Sequence, residues 1–238
     1  MGLSRNPGRV AGVWYLLLIL LGPLRLIYIP SRLFVHGDAT ATINNIISHE
    51  PLFRAGMASD LVCAVILVFL TLAFHRLFKD AGRYAALLVV ILGGVMPATI
   101  SFISVGTDAT ALSVAHGAGF LSVFDKGQRD ALAMVFLRMR DQETTAAELL
   151  WGLWLLPLAW LVWKSRFAPR LIGLWLAVNG LAYVALSFTG LLLPQYQDTV
   201  FAVSTPARLG ELAIMLWLLI MGANPSTTAQ PGLIEAST

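Results

Sequence analysis

The chain has 238 residues, of which 58% are hydrophobic and only 12% charged. Apolar runs of roughly twenty residues follow one another, which excludes an ordinary soluble domain and places the chain among polytopic helical membrane proteins. The formal charge of +3 does not indicate nucleic acid, because the basic residues sit in short flanks between apolar runs, where they orient a membrane protein.

Arg5 and Arg9 precede an apolar run that starts at Val10 and resembles a secretion signal until its end. Gly22-Pro23-Leu24-Arg25 is not a small-x-small cleavage sequence, and apolar residues resume through Ile29. The run therefore reads as an uncleaved first transmembrane helix over 10–29, kinked at Gly22-Pro23 and stopped before Pro30. Asp38 is an N-cap candidate, and Ile43, Ile46 and Ile47 at helical spacing predict a short amphipathic helix on the outer membrane surface. Helix 2 is expected over 57–78 and helix 3 over 84–105, joined by a tight basic turn at 79–83, with a kink at Pro97.

Between 106 and 143 the pattern weakens. Asp108 reads as the cap of a short helix, and 110–124 as a re-entrant or interfacial segment too short to span. Leu132, Val135, Phe136 and Met139 form one stripe, which predicts a second amphipathic surface helix. Helix 4 follows over 145–163 and helix 5 over 171–193, joined by a basic turn. The Trp residues 151, 154, 160 and 163 resemble aromatic belts at the two membrane interfaces. Thr205 as N-cap and Pro206 at the first helical position predict helix 6 over 206–222, and 223–238 has the composition of a disordered cytoplasmic tail. The expected fold is all-α, a polytopic membrane bundle of six transmembrane helices with two short amphipathic outer helices.

The basic residues Arg5, Arg9, Arg76, Lys79, Arg83, Lys164, Arg166 and Arg170 gather on one side if the N-terminus is cytoplasmic. This predicts both termini inside a bacterial cytoplasmic membrane. Helices 2, 4 and 6 then each enter from outside with an acid near the entrance, Asp60, Glu148 and Glu211, while Arg25 and Arg208 lie at similar depth. Ionisable groups there are expensive and need partners, so these five residues form the candidate ligand-binding set. Arg25 is expected to meet Asp60 and Arg208 to meet Glu148, leaving Glu211, the deepest, to bind a proton. The bland alternative is that the three acids only complement helix N-termini or reach up to water.

The single cysteine, Cys63, permits no intrachain disulfide. His36, His49 and His116 lack metal-ligand spacing, so no metal is expected. Asn179 and Tyr183 are residues that line a cavity or bridge helices. No cofactor motif or soluble catalytic signature is present. The lipid bilayer is the expected partner, and the expected function is binding or transport of a small molecule or lipid through an outer-facing polar pocket. The competing functions are an intramembrane enzyme acting on a lipid or isoprenoid, and a structural or regulatory membrane protein.

The stretches RVAGVWYLLL, HGDATATINNIISHEPLFRAGMASDLV, SRFAPRLIGLWLAVNGLAY and GELAIMLWLLIMG together resemble the bacterial membrane family known as domain of unknown function 4386. The resemblance implies a bundle of about six spans and brings no catalytic residues. Many relatives have a histidine near the position of Trp154 here, so histidine chemistry is not expected to transfer.

Overall fold

The computed structural model describes residues 6–223. Its order is α1 (Pro7–Pro23), α2 (Ile29–Leu33), α3 (Ala39–Ser48), α4 (Glu50–Val90), α5 (Met96–His116), α6 (Lys126–Leu153), α7 (Leu155–Ser165), α8 (Arg170–Leu192), α9 (Gln197–Arg208) and α10 (Gly210–Ile220). Among the described residues the bundle is all-α, with five helical segments long and apolar enough to cross a membrane. The longest of these, Glu50–His116, folds back on itself at Gly82, where the backbone is extended (φ −177°, ψ 89°). A Cβ on Gly94 would meet Thr71 Oγ1 at 2.3 Å, so the two arms run side by side. The tail, 224–238, lies outside the described residues.

Proline explains several departures from straight helices. π-Helical turns occupy Leu24–Tyr28, directly after Pro23, and Ile91–Val95, just before Pro97. A proline that cannot donate its i→i−4 hydrogen bond widens the helix instead of ending it. Helix 1 accordingly does not stop before Pro30. The chain continues as α2 with Pro30 in the first turn, where no donor is required.

Helix 6 is also different from expectation. Thr205 is not an N-cap, because its hydroxyl donates to Phe201 O inside α9 and Pro206 lies within that helix. The break falls at Leu209, between α9 and α10. It leaves Arg208 in the last turn of one helix and Glu211 in the first turn of the next. Each charge thus lies where the helix dipole favours it.

The chain divides into two compact units, one of Met1–Leu18, Val65–Ala98 and Thr145–Thr238, the other of Ile19–Ala64 and Thr99–Thr144. In the second unit Ile29, Leu33, Ile43, Ile46, Phe53, Ala111 and Leu137 belong to one buried apolar core. Asp38 caps α3 as the sequence predicts, accepting from Ala41 N at 2.8 Å. Its Ile43 and Ile46 face is buried against protein in this core. The second amphipathic stretch is the beginning of α6 and not a separate helix. Its buried positions are Asp130, Ala133, Leu137 and Arg140, while Val135 and Met139 are exposed. The apolar stripe was half a guide: Leu132 and Phe136 pack against this core, whereas Asp130 and Arg140, each with an ion-pair partner, are buried in place of Val135 and Met139. Of the expected re-entrant segment, 110–116 continue α5 and the remainder is a turn region with a short 3-10 helix at Gly119–Leu121.

In the first unit Tyr15, Phe74 and Trp154 pack ring against ring, with centroids 6.0 to 6.2 Å apart. Trp154 is 3% exposed, so it is a core residue and no part of an interface belt. Trp160 and Trp163 do lie exposed. The first and last helices are tied at their ends, where Gly8 N donates to Ala223 O at 2.9 Å and Arg9 Nη2 to Ile220 O at 3.2 Å.

Candidate functional site

The five candidate residues fall in different units. Arg25 and Asp60 belong to the second unit, and Glu148, Arg208 and Glu211 to the first.

In the second unit the predicted Arg25–Asp60 pair is present, with Nε donating to Oδ2 at 3.0 Å. It is half of a larger arrangement. Arg25 Nη2 also donates to Asp108 Oδ2, while Arg140 pairs with Asp60 at 3.1 Å and with Asp108 at 3.5 Å. Each guanidinium therefore touches both carboxylates. The side chains of Arg25 and Asp108 are 3% and 0% exposed, so the charges have almost no access to water and must balance one another. Two cations and two anions do so. The π-helical turn after Pro23 carries Arg25, and a Cβ on Gly56 would lie 3.2 Å from Arg25 Cδ, so that glycine makes room for the guanidinium stem. Asp108 and Arg140 were missed in the sequence because one looked like a cap and the other like a solvated surface charge. The available signal was the unbroken run of helix formers around Asp108, with no Gly or Pro between Thr107 and His116. Nearby, Glu143 accepts from Ser104 Oγ at 2.7 Å and Thr107 Oγ1 at 2.9 Å, joining α6 to α5.

In the first unit Glu211 is held from two helices. Tyr15 Oη donates to Oε2 at 2.6 Å and Asn179 Nδ2 to Oε1 at 3.3 Å, and the Tyr183 side chain faces the same carboxylate. Tyr15 and Asn179 are fully buried. Replacing Tyr15 by phenylalanine removes the only donor on Oε2 among the described hydrogen bonds. The expected cost is about 1–3 kcal/mol, read as a lower midpoint of unfolding in detergent, and an unchanged midpoint would show that this bond does not tie α1 to α10.

The expected Arg208–Glu148 ion pair is not formed. Arg208 Nη2 donates to Phe201 O at 3.2 Å and Thr205 Oγ1 at 2.8 Å, and the guanidinium lies 3.9 Å from the Phe201 ring centroid. Side chains on a helix lean toward its N-terminus, so an arginine in the last turn of α9 folds back on its own helix. Glu148 is within electrostatic reach of Arg208 but makes no direct contact with it. Four buried polar atoms of this unit have no hydrogen-bond partner among the described residues: Arg9 Nε in α1, and Glu148 Oε2, Arg208 Nε and Asn179 Oδ1.

The histidines do not gather. His116 Nε2 meets Glu50 at 2.8 Å and His49 Nδ1 meets Asn45 O at 3.1 Å. Among the described residues no group of three or more His, Cys, Asp or Glu is placed to hold a metal ion.

Helices of membrane-spanning length and composition, with ionisable side chains enclosed between them, define the class: an all-α membrane-type bundle with buried charge. The chain belongs to the family described as Domain of unknown function (DUF4386), whose pattern matches residues 10–222. Comparison with curated proteins and with solved structures found no match.

Proposed function

We propose that this is a multi-pass protein of the bacterial cytoplasmic membrane, with both termini cytoplasmic, that binds a small zwitterionic molecule or lipid head group from outside through Glu148, Arg208 and Asn179. The observation that supports this reading is that three of the four unsatisfied buried atoms in the first unit, on Glu148, Arg208 and Asn179, belong to residues within reach of one another. Buried polar atoms are normally paired, and an unpaired one costs about 1–3 kcal/mol. Two of the three are acceptors, on Glu148 and Asn179, and the third is a guanidinium donor. A ligand that satisfies them all carries an ammonium or amide donor and an anionic group. Glu211, already held by Tyr15 and Asn179, acts in this reading as the element that fixes Asn179. The basic residues at 76–83 and 164–170 support the orientation, since cytoplasmic flanks are enriched in Lys and Arg.

The arrangement in the second unit supports a structural role for Arg25 and Asp60, because their charges are compensated within the protein. The test is thermal stabilisation of purified protein by a panel of free amino acids, phosphoethanolamine and phosphocholine. A member of the panel at a hundred times its dissociation constant stabilises by about 2.7 kcal/mol. That shift is expected to vanish in Glu148→Gln and in Arg208→Gln. A panel without effect on the wild type, or a shift that survives both substitutions, overturns the assignment.

A further inference from the structure

All eight ion pairs among the described residues lie in the second unit. Among the described residues the first unit has none, although it holds Arg76, Lys79, Arg83, Lys164, Arg166 and Arg170 with only Asp80 beside them in the sequence. Cations gathered without a carboxylate among the described residues call for anions from elsewhere. The chain places these cations on two turns, around Gly82 and around Arg166, and the rings of Phe78 and Phe167, 5.5 Å apart, hold the turns together.

Between the turns is an open cavity of about 420 Å³, lined by Gly82, Arg83, Tyr84, Ala85, Trp160 and Lys164. Its floor is the Trp160 ring, packed so closely on Gly82 that a Cβ there would lie 2.5 Å from it. Lys164 Nζ sits 4.7 Å above the same ring. Arg83 has no ion-pair partner among the described residues. From the cavity an exposed apolar stripe runs along α4 and beyond, with Tyr84, Leu87, Leu88 and Ile91 at 85%, 46%, 46% and 40% exposure. Their spacing of three, one and three residues keeps them on one helix face.

We propose that this cavity holds the phosphate of an anionic glycerophospholipid, clamped between Arg83 and Lys164, with its acyl chains lying on the Tyr84–Ile91 stripe. The site is separate from the residues of the proposed external ligand and does not depend on them. Two cations match the phosphate, the indole and phenol match the interfacial glycerol region, and the stripe matches hydrocarbon. A free phosphate would have no use for the stripe, and this selects the lipid.

The experiment is native mass spectrometry of the full chain in a non-ionic detergent, with equimolar phosphatidylglycerol and phosphatidylcholine of the same acyl chains. The wild type is expected to retain phosphatidylglycerol preferentially, and Arg83→Gln/Lys164→Gln to lose that preference by on the order of tenfold, the effect of two basic contacts on an anionic head group. Arg83→Lys/Lys164→Arg, which keeps both charges, is expected to retain it. So is Arg54→Gln, an exposed cation of the second unit. Equal retention of the two lipids by the wild type, an unchanged preference in the glutamine variant, or displacement of the lipid by chain-free glycerol phosphate at equal concentration each overturns the proposal.

Discussion

Asp108→Asn is expected to destabilise the protein by about 3–5 kcal/mol, the cost of leaving a buried charge without its partner. Asp108 is completely buried and stands against both Arg25 and Arg140. With its charge removed, two guanidiniums share the single carboxylate of Asp60, and almost no water reaches Arg25 to screen the excess. The effect belongs to the imbalance and not to the loss of one contact. Arg25→Met/Asp108→Leu therefore provides the internal control, since it removes one charge of each sign and leaves Arg140 paired with Asp60. The double variant is expected to unfold closer to the wild type than Asp108→Asn does. Denaturation of the purified proteins in detergent reads both values. If Asp108→Asn matches the wild type, or the double variant is the worse of the two, charge compensation does not hold this unit together.

The second large effect concerns the approach of α6 and α8. A Cβ on Gly152 would lie 2.4 Å from Gly180 O, and one on Gly180 would lie 2.8 Å from Gly152 O. Backbone faces backbone here, and neither atom can swing aside as a flexible side chain does. Small residues permit such close packing between helices in membranes, where dispersion between well-fitted surfaces replaces much of the hydrophobic driving force. Gly152→Ala is expected to push the helices apart and cost about 1–3 kcal/mol, with Gly152→Leu failing to accumulate as folded protein. Gly22→Ala is the matched control, because nothing lies within 4 Å of the added atom. Size-exclusion chromatography and thermal unfolding of the three variants test this, and equal behaviour of Gly152→Ala and Gly22→Ala would refute it.

Local chemistry was legible where it acts through the next few residues. Asp38 as a cap, the turn at Gly82 and the helix disturbances near Pro23 and Pro97 all follow from groups within one helical turn of one another. Thr205-Pro206 misled because that same N-terminal pattern also fits inside a helix when the hydroxyl can donate to the carbonyl four residues back, as Thr205 does to Phe201. In α6 the apolar stripe gave the inner face only in part, with Leu132 and Phe136 on the core but Val135 and Met139 exposed, because periodicity weighs only hydrophobicity, whereas a paired arginine such as Arg140 is buried too.

The candidate site was half legible. Arg25 and Asp60 were matched correctly because both belong to apolar helices and have opposite signs. Asp108 and Arg140 complete that arrangement from positions 83 and 80 residues away from the groups they contact, a distance over which no pattern in the chain carries information. Arg208 and Glu148 have opposite signs too, yet the turn at Leu209 gives Arg208 nearer partners in its own helix.

By itself the order of residues determined an all-α chain, the apolar stretches long enough to span a membrane, and the points where Pro and Gly disturb them, since each of these depends on backbone hydrogen bonding and side-chain polarity within a short window. Only the tertiary structure decided that Arg25 and Arg140 share Asp60 and Asp108, and that Tyr15 and Asn179 hold Glu211. A charge in a low-dielectric interior interacts with whatever the fold brings within a few ångströms, and helix packing sets that distance.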